Sequence, residues 1–557
     1  PLAKLLNGTY SGLYSPAFNQ DLFLGIPYAQ DTSGANRFRI PQPLNTTWPD
    51  TRPATQYGHA CPDGTPEDDA LHGMSENCLS INIVRPRLTS TTDTNPLLPI
   101  LFWIHGGAYQ VGTSALPRYN LSYLVARSAA IGRPVLGASI NYRKGGWGLL
   151  HSLDLLGTGN TNLALRDMRL ALAWVQENIA AFGGDPRRVT IWGESAGSFA
   201  VGQLLLAHGG RDGGRLFHGS IQESGSATTA WYNGTERYQP IYEYIVHQVG
   251  CGEAADTLEC LRAVPYEELY PHVHAAPGAV DGGPGYYPIV DGDVIPNYPS
   301  EMLREGRFAR VPHLYGTNSD EGTDNAPAGD SNSGRIDTDD DLYQFLLHGA
   351  GFNFPPSTVR RIMELYPDDP ALGIPLGTGD ERFAEKGWQY KRVAAIVGDV
   401  FYHAPRLDDA RRYAQHGDDT YVYRFNERAW LSAVNTPGGV VNATCVEELC
   451  GALAPAWEGV AHATELAFVF GNAEWLGPWE GYRRLSERMM DMWVHFAHDG
   501  NPNGPGEVVW PQYASGGEEG VNLVLQTEEK GGLYVERDVY RREGREYLSK
   551  WARRRRV

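Results

Sequence analysis

The stretch VTIWGESAGSFAVGQLLLA (189–207) decides the fold. VTIWG is short and apolar, which predicts a strand buried on both faces. AGSFAVGQLLLA (196–207) predicts a helix. Between them, Gly193-Glu194-Ser195-Ala196-Gly197 matches G-x-S-x-G. In a strand–turn–helix setting that pattern has a mechanical meaning. Glycines flank Ser195 because the turn is too tight for Cβ atoms beside it. The strained backbone lifts the hydroxyl clear of the sheet, and the helix start adds free N–H groups and a positive dipole end. Ser195 is therefore the candidate nucleophile.

Outward from this stretch the pattern repeats. PILFWIHGG (99–107) and RPVLGASINYR (133–143) read as buried strands. NLALRDMRLALAWVQENIAAF (162–182) carries Leu163, Leu170, Leu172, Trp174, Val175 and Ile179 at helical spacing. Strands that are nearly all apolar, alternating with helices, predict an α/β fold around a mostly parallel sheet. GTDNAPAGDSNSGRIDTDDD (322–341) reads as a surface loop whose Asp run is solvated. KWARRRRV (550–557) reads as a frayed basic tail held by acidic neighbours.

Composition narrows the function. The chain of 557 residues has 47 Lys+Arg against 66 Asp+Glu, a net charge of −19. That excludes nucleic acid and anionic membrane surfaces as partners, since both need a basic footprint. With 42% hydrophobic and 11% aromatic residues the chain is not disordered. It has no apolar stretch long enough for a membrane span. The six cysteines form no CxxC, and six allow many pairings. Sequence neighbours suggest the local bridges Cys61–Cys78, Cys251–Cys260 and Cys445–Cys450. N-x-S/T sequons stand at Asn7, Asn45, Asn120, Asn233 and Asn442. Sequons and even cysteines together predict a secreted glycoprotein, and Pro1 opens directly onto ordinary sequence, as in a mature chain.

FGGDPRRVTIWGESAGS (182–198) resembles the nucleophile segment of the type-B carboxylesterase family, which has the α/β-hydrolase fold and includes cholinesterases and fungal lipases. ANRFRIPQP (35–43), ENCLSINI (76–83) and MWVHFAHDGNPN (492–503) are similar to other motifs of that family. The resemblance runs over nearly the whole chain. It implies one α/β-hydrolase domain across 1–557, a twisted sheet flanked by helices with large loop and helical insertions. It also implies a Ser-His-Glu triad. TNSDEG (317–322) supplies Glu321, with Asp320 in a structural role, and GVAHATELAFVFG (459–471) supplies His462, ahead of an apolar strand-like run. His105-Gly106-Gly107-Ala108-Tyr109 resembles the family's glycine-rich oxyanion loop, so the amides of Gly107, Ala108 and Ala196 are the expected donors. Glu194 and Ser224 are expected to support the histidine or a water. Arg37 and Glu76 match a structural ion pair of the family.

The family's first disulfide closes a loop beside the active-site gorge. Here that loop is PDGTPEDDALHGMSEN (62–77), polar and without aromatic residues. It lacks the apolar area of an interfacial lid and the tryptophan that would hold choline. Its carboxylates are expected to disfavour anionic esters. The expected function is hydrolysis of soluble carboxylic esters through an acyl-enzyme. The rivals are a lipase or sterol esterase, and an inactive adhesion protein on the same fold, which the three occupied triad positions disfavour. No cofactor is implied, and no metal, since His272 and His274 lack a third ligand. The partner expected is a small-molecule ester.

Overall fold

A computed structural model describes residues 1–63, 71–87, 96–229, 232–276, 285–328, 334–349, 352–430, 453–506 and 508–552. Eleven strands form the main sheet: β1 (Leu13–Ser15), β2 (Gln20–Pro27), β3 (Ser80–Pro86), β4 (Leu98–Ile104), β5 (Leu136–Ile140), β6 (Gly184–Glu194), β7 (Gly219–Glu223), β8 (His313–Asn318), β9 (Thr420–Phe425), β10 (Val521–Leu525) and β11 (Tyr534–Arg537). In space they run β11-β10-β9-β8-β7-β6-β4-β5-β3-β2-β1. Neighbours from β10 to β5 pair in parallel. Both edges are antiparallel. This is the mostly parallel sheet the sequence predicts. A separate small sheet joins Leu2–Lys4, Thr9–Ser11 and Thr51–Pro53.

The sheet is buried on both faces because side chains alternate along each strand. In β4, Ile100, Phe102 and Ile104 enter one hydrophobic cluster with Leu165, Met168, Leu172 and Leu204. Leu101 and Trp103 enter the opposite cluster with Leu124, Met489 and Trp493. In chain order, the covering helices are α1 (Ser122–Ala130), α2 (Leu163–Asn178), α3 (Ala196–Leu206) and α5 (Glu480–Asp499). The buried residues Leu165, Met168, Leu172 and Val175 of α2 recur at the three- and four-residue spacing of one helix face. α5 buries Leu485, Met489, Met492 and Phe496 in the same way and stops at Gly500, whose φ of 66° is left-handed.

Three local expectations change. VTIWG is the end of a longer strand that starts at Gly184. The apolar run after His462 is a short helix, Leu466–Phe470, ended by Gly471 at φ 69°. Short apolar runs carry no period that separates helix from strand. What decides is packing: Phe470 sits 4.9 Å from Trp103 and 4.8 Å from Trp192, ring to ring, so this turn caps the sheet instead of joining it. Finally, the Asp run at 339–341 opens the helix Asp339–His348. Thr338 and Asp341 form a capping box, and Asp339 pairs with Arg392 at 2.7 Å. Carboxylates there answer the free N–H groups and dipole of the helix start.

Between β8 and β9 the chain makes an excursion with its own cluster, including Ile336, Leu342, Phe352, Ile362 and Val393. Its helix α4 (Tyr390–Gly398) lies against the turn at Glu321. A Cβ on Gly322 would sit 2.0 Å from Ala394 O, so only glycine permits that approach.

Candidate active site

The strand register puts the site at the carboxyl ends of adjacent parallel strands, where α/β sheets place their ligands. Ile104 pairs with Gly193, Glu194 with Glu223, and Glu223 with Gly316. The residues that follow these strand ends therefore emerge side by side: the 105–109 turn, Ser195, Ser224 and Glu321.

Ser195 has φ 54° and ψ −125°, a strained conformation for a residue with a side chain. Its N–H is held by Glu223 O at 2.9 Å. Both flanking glycines are required. A Cβ on Gly193 would meet Gly197 C at 2.5 Å, and one on Gly197 would meet Ile104 O at 2.0 Å. Next to Ser195 lies the other strained turn: Gly107 at φ 103°, Ala108 at 54° and Tyr109 at 64°. Gly107 O closes it by accepting from Gln110 N and Val111 N at 2.8 and 2.9 Å. Among the described residues the amides of Gly107, Ala108 and Ala196 find no acceptor within the protein.

Glu321 and His462 come together across 141 residues of chain: Nδ1–H of His462 donates to Glu321 Oε2 at 2.7 Å. Glu321 Oε1 also accepts from Asn318 N at 2.7 Å and from the Ser224 hydroxyl at 2.5 Å, and the carboxylate is fully buried. Glu194 Oε1 lies 3.1 Å from His462 Nε2, out of line for a hydrogen bond. Nε2 is buried with no hydrogen-bond partner among the described residues. Burial alone would lower the imidazole pKa, but the carboxylates of Glu194 and Glu321 outweigh it and push the value up to about 10. Glu194 is itself raised, by burial.

Asp320 does not reach the histidine. Its Oδ1 accepts from Leu376 N and its Oδ2 from Val460 N, each at 2.8 Å. It clips the excursion and the histidine loop to the acid turn, the structural role expected of it.

Sequence reasoning missed three contributors. Glu465, three residues beyond His462 and just before the helix Leu466–Phe470, accepts from Asn318 Nδ2 at 2.6 Å and lies 3.3 Å from the Ser224 hydroxyl. Burial first, then the charges of Glu194 and Glu321, push its pKa up to about 8. Glu223 is also buried. It accepts from Trp493 Nε1 at 2.8 Å, and burial holds its pKa well above the usual range. Tyr402 lies ring-on-ring with His462, with centroids 4.6 Å apart. It sits in a single π-helical turn, Asp399–His403, of the kind that often marks functional sites. None of the three left a signal in the sequence.

The remaining expectations divide. The disulfides Cys61–Cys78 and Cys251–Cys260 are formed. Arg37 and Glu76 pair at 2.6 Å, both buried. Of the sequons, Asn45 is exposed, while Asn7, Asn120 and Asn233 are partly covered. Cys445, Cys450 and Asn442 lie outside the described residues, as does the tail beyond 552. Among the described residues no three His, Cys, Asp or Glu side chains form a metal cluster, and no helix is long and apolar enough to cross a membrane.

Known proteins bear on the same segments. The Carboxylesterase family matches residues 3–541. Secreted lipase 1 of Botryotinia fuckeliana is 36% identical over 69% of this chain and 70% of its own length. Lipase 4 of Diutina rugosa is 32% identical over 98% of this chain and 95% of its own. A secreted triacylglycerol lipase of Gibberella zeae is 32% identical over 71% of this chain and 69% of its own.

Proposed function

The chain belongs to the carboxylesterase family and is a carboxylic-ester hydrolase, and from that premise we propose that Ser195, His462 and Glu321 carry the reaction. His462 Nε2 takes the Ser195 proton as Oγ attacks the ester carbonyl. The amides of Gly107, Ala108 and Ala196 receive the oxyanion. The imidazolium then protonates the leaving alcohol, and water repeats the sequence on the acyl-enzyme to release the acid. Glu321 holds Nδ1–H, keeps Nε2 free and stabilises the imidazolium. Ser224 steadies Glu321, and Glu194 adds a carboxylate beside the imidazolium. The spread of these residues from 107 to 462 supports a single α/β-hydrolase domain over 1–557.

One observation carries this reading. A largely buried imidazole has one nitrogen held by a buried carboxylate and the other without a hydrogen-bond partner among the described residues, 3.1 Å from the carboxylate of Glu194, the residue before Ser195 on its strained turn. An open imidazole nitrogen beside the nucleophile turn is where a general base takes up a proton. The test is Ser195→Ala with p-nitrophenyl acetate. Hydrolysis should fall by about 10⁴-fold or more with folding unchanged. A variant that still turns over would sink the assignment.

Substrate class separates two readings. The polar 62–77 segment favours soluble esters. The relatives' names, all lipases, favour lipid esters. Tributyrin hydrolysis followed through its solubility limit decides between them: a smooth saturation curve supports soluble esters, and a jump as droplets appear supports a lipase. The disulfides, the sequons and the relatives' description as secreted support an extracellular protein. Mass loss on glycosidase treatment would test the glycans.

A further inference from the structure

Lys144 and Asp63 form an ion pair with both side chains fully buried. Burying two charges costs several kcal/mol, and apolar replacements of similar volume are often as stable. Stability alone is therefore a poor account of the pair. What distinguishes it is its grip on one backbone unit. Lys144 Nζ donates to both Asp63 Oδ2 and Gly112 O. Gly112 N donates back to Asp63 Oδ2 at 3.2 Å. Both hydrogen-bonding groups of Gly112 are thus held by one ion pair.

Gly112 ends the turn that carries Gly107 and Ala108, and the two limbs of that turn are in backbone contact. A Cβ on Gly112 would lie 3.0 Å from Gly106 O, and one on Gly107 would lie 2.2 Å from Val111 O. A displacement at Gly112 therefore has no slack to absorb it before Gly107. The residue after Lys144 holds the middle of the turn, since Gly145 N donates to Tyr109 O at 2.7 Å. His105 starts it. Burial and then the Lys144 charge push its pKa down to about 3, so it stays neutral, with Nδ1 on Gly106 O at 2.8 Å.

We propose that Asp63 and Lys144 are positioning residues for the oxyanion hole: as a buried pair they fix Gly112, and through it the aim of the Gly107 and Ala108 amides. Asp63 follows Cys61 by two residues, so the pair ties the oxyanion turn to the chain beside the Cys61–Cys78 disulfide. The proposal rests on the oxyanion assignment above.

The test uses the double variant Asp63→Asn/Lys144→Met, which removes both charges together and so leaves no unpaired one behind. A remote buried pair serves as control: Arg85 and Asp21, 3.0 Å apart, probed by Asp21→Asn. For each protein, kcat and KM on p-nitrophenyl butyrate, the Ki of a trifluoromethyl ketone and the Tm are measured. The ketone adduct carries an oxyanion, so it reports the aim of the amides. The double variant should lose about 10- to 100-fold in kcat with KM within about twofold, and the ketone should lose affinity by the same factor. Asp21→Asn should lower Tm and leave kcat unchanged. A folded double variant with kcat within about threefold of wild type overturns the proposal, as does a loss confined to KM. If the double variant does not fold, Lys144→Arg keeps the charge but displaces it from Gly112 O, and the same readouts decide. Ser195→Ala is run alongside. Turnover in that variant would defeat the site assignment itself, whereas an inert Ser195→Ala with a fully active double variant would defeat only the positioning role.

Discussion

The two halves of the site are built in opposite ways. One half, Gly107, Ala108, Ser195 and Ala196, is backbone geometry. Its members follow two paired strands, and three of the four have positive φ. The other half, Glu321, His462, Ser224 and Glu465, is side-chain chemistry. Its members come from distant segments and are held by buried carboxylates that accept from N–H and O–H groups. The first half has no room for added atoms at Gly193, Gly197 or Gly107. The second tolerates small changes of volume but no misplaced proton. Substitutions matched to each half should therefore fail in different observables.

Glu321→Gln is the largest expected effect. The amide cannot stabilise the imidazolium and favours the wrong tautomer, so kcat should fall by about 10⁴-fold while the melting temperature holds. Gly197→Ala attacks the other half. A Cβ there collides with the backbone of β4, so activity should fall by about 100-fold together with the melting temperature, read by thermal unfolding. Asp320→Asn should come third. An amide can accept from only one of Leu376 N and Val460 N in the same manner. About 2 kcal/mol of stability should go, with a loss in kcat of about tenfold as the histidine loop loosens.

Glu194→Gln sharpens the comparison through pH. The base must be unprotonated, and Glu194 helps raise the His462 pKa. The ascending limb of kcat/KM should therefore lie above pH 6.5 in the parent and move to lower pH in the variant. A limb that stays put would remove Glu194 from the electrostatics. Ala108→Gly is the smallest effect expected. Glycine relieves the positive φ but loosens the unfolded chain, so stability should change by less than about 1 kcal/mol. Removal of the methyl should raise tertiary-alcohol esters by a few-fold against primary ones, and unchanged ratios would show that it does not bound the alcohol site.

In the backbone half, the turn at Ser195 was legible because its constraints are local, whereas the oxyanion amides were expected through resemblance. Gly193 and Gly197 announce a tight turn wherever they flank a serine between strand and helix. The side-chain half was legible only through resemblance. Nothing in the 141 residues between Glu321 and His462 says that they meet. Glu465 stood within the same segment as His462 and gave no sign of its role, since a Glu is ordinarily solvated. Tyr402 depends on a π-helical turn that no spacing rule reports.

The acidic balance shows the division most clearly. Read along the chain, the carboxylates at 62–77 make a polar, anionic loop. In the structure Asp63 and Glu76, at its two ends, are buried against Lys144 and Arg37. Those two charges are therefore neutralised by cations of the body. The sequence by itself determined the α/β alternation, the strand–turn–helix at Ser195 and the family, because periodicity and glycine placement act within a few residues. Only the tertiary structure decided which charges are partnered, which nitrogen of His462 is left open and what holds the oxyanion turn, because buried electrostatics depend on distances between segments far apart in the chain.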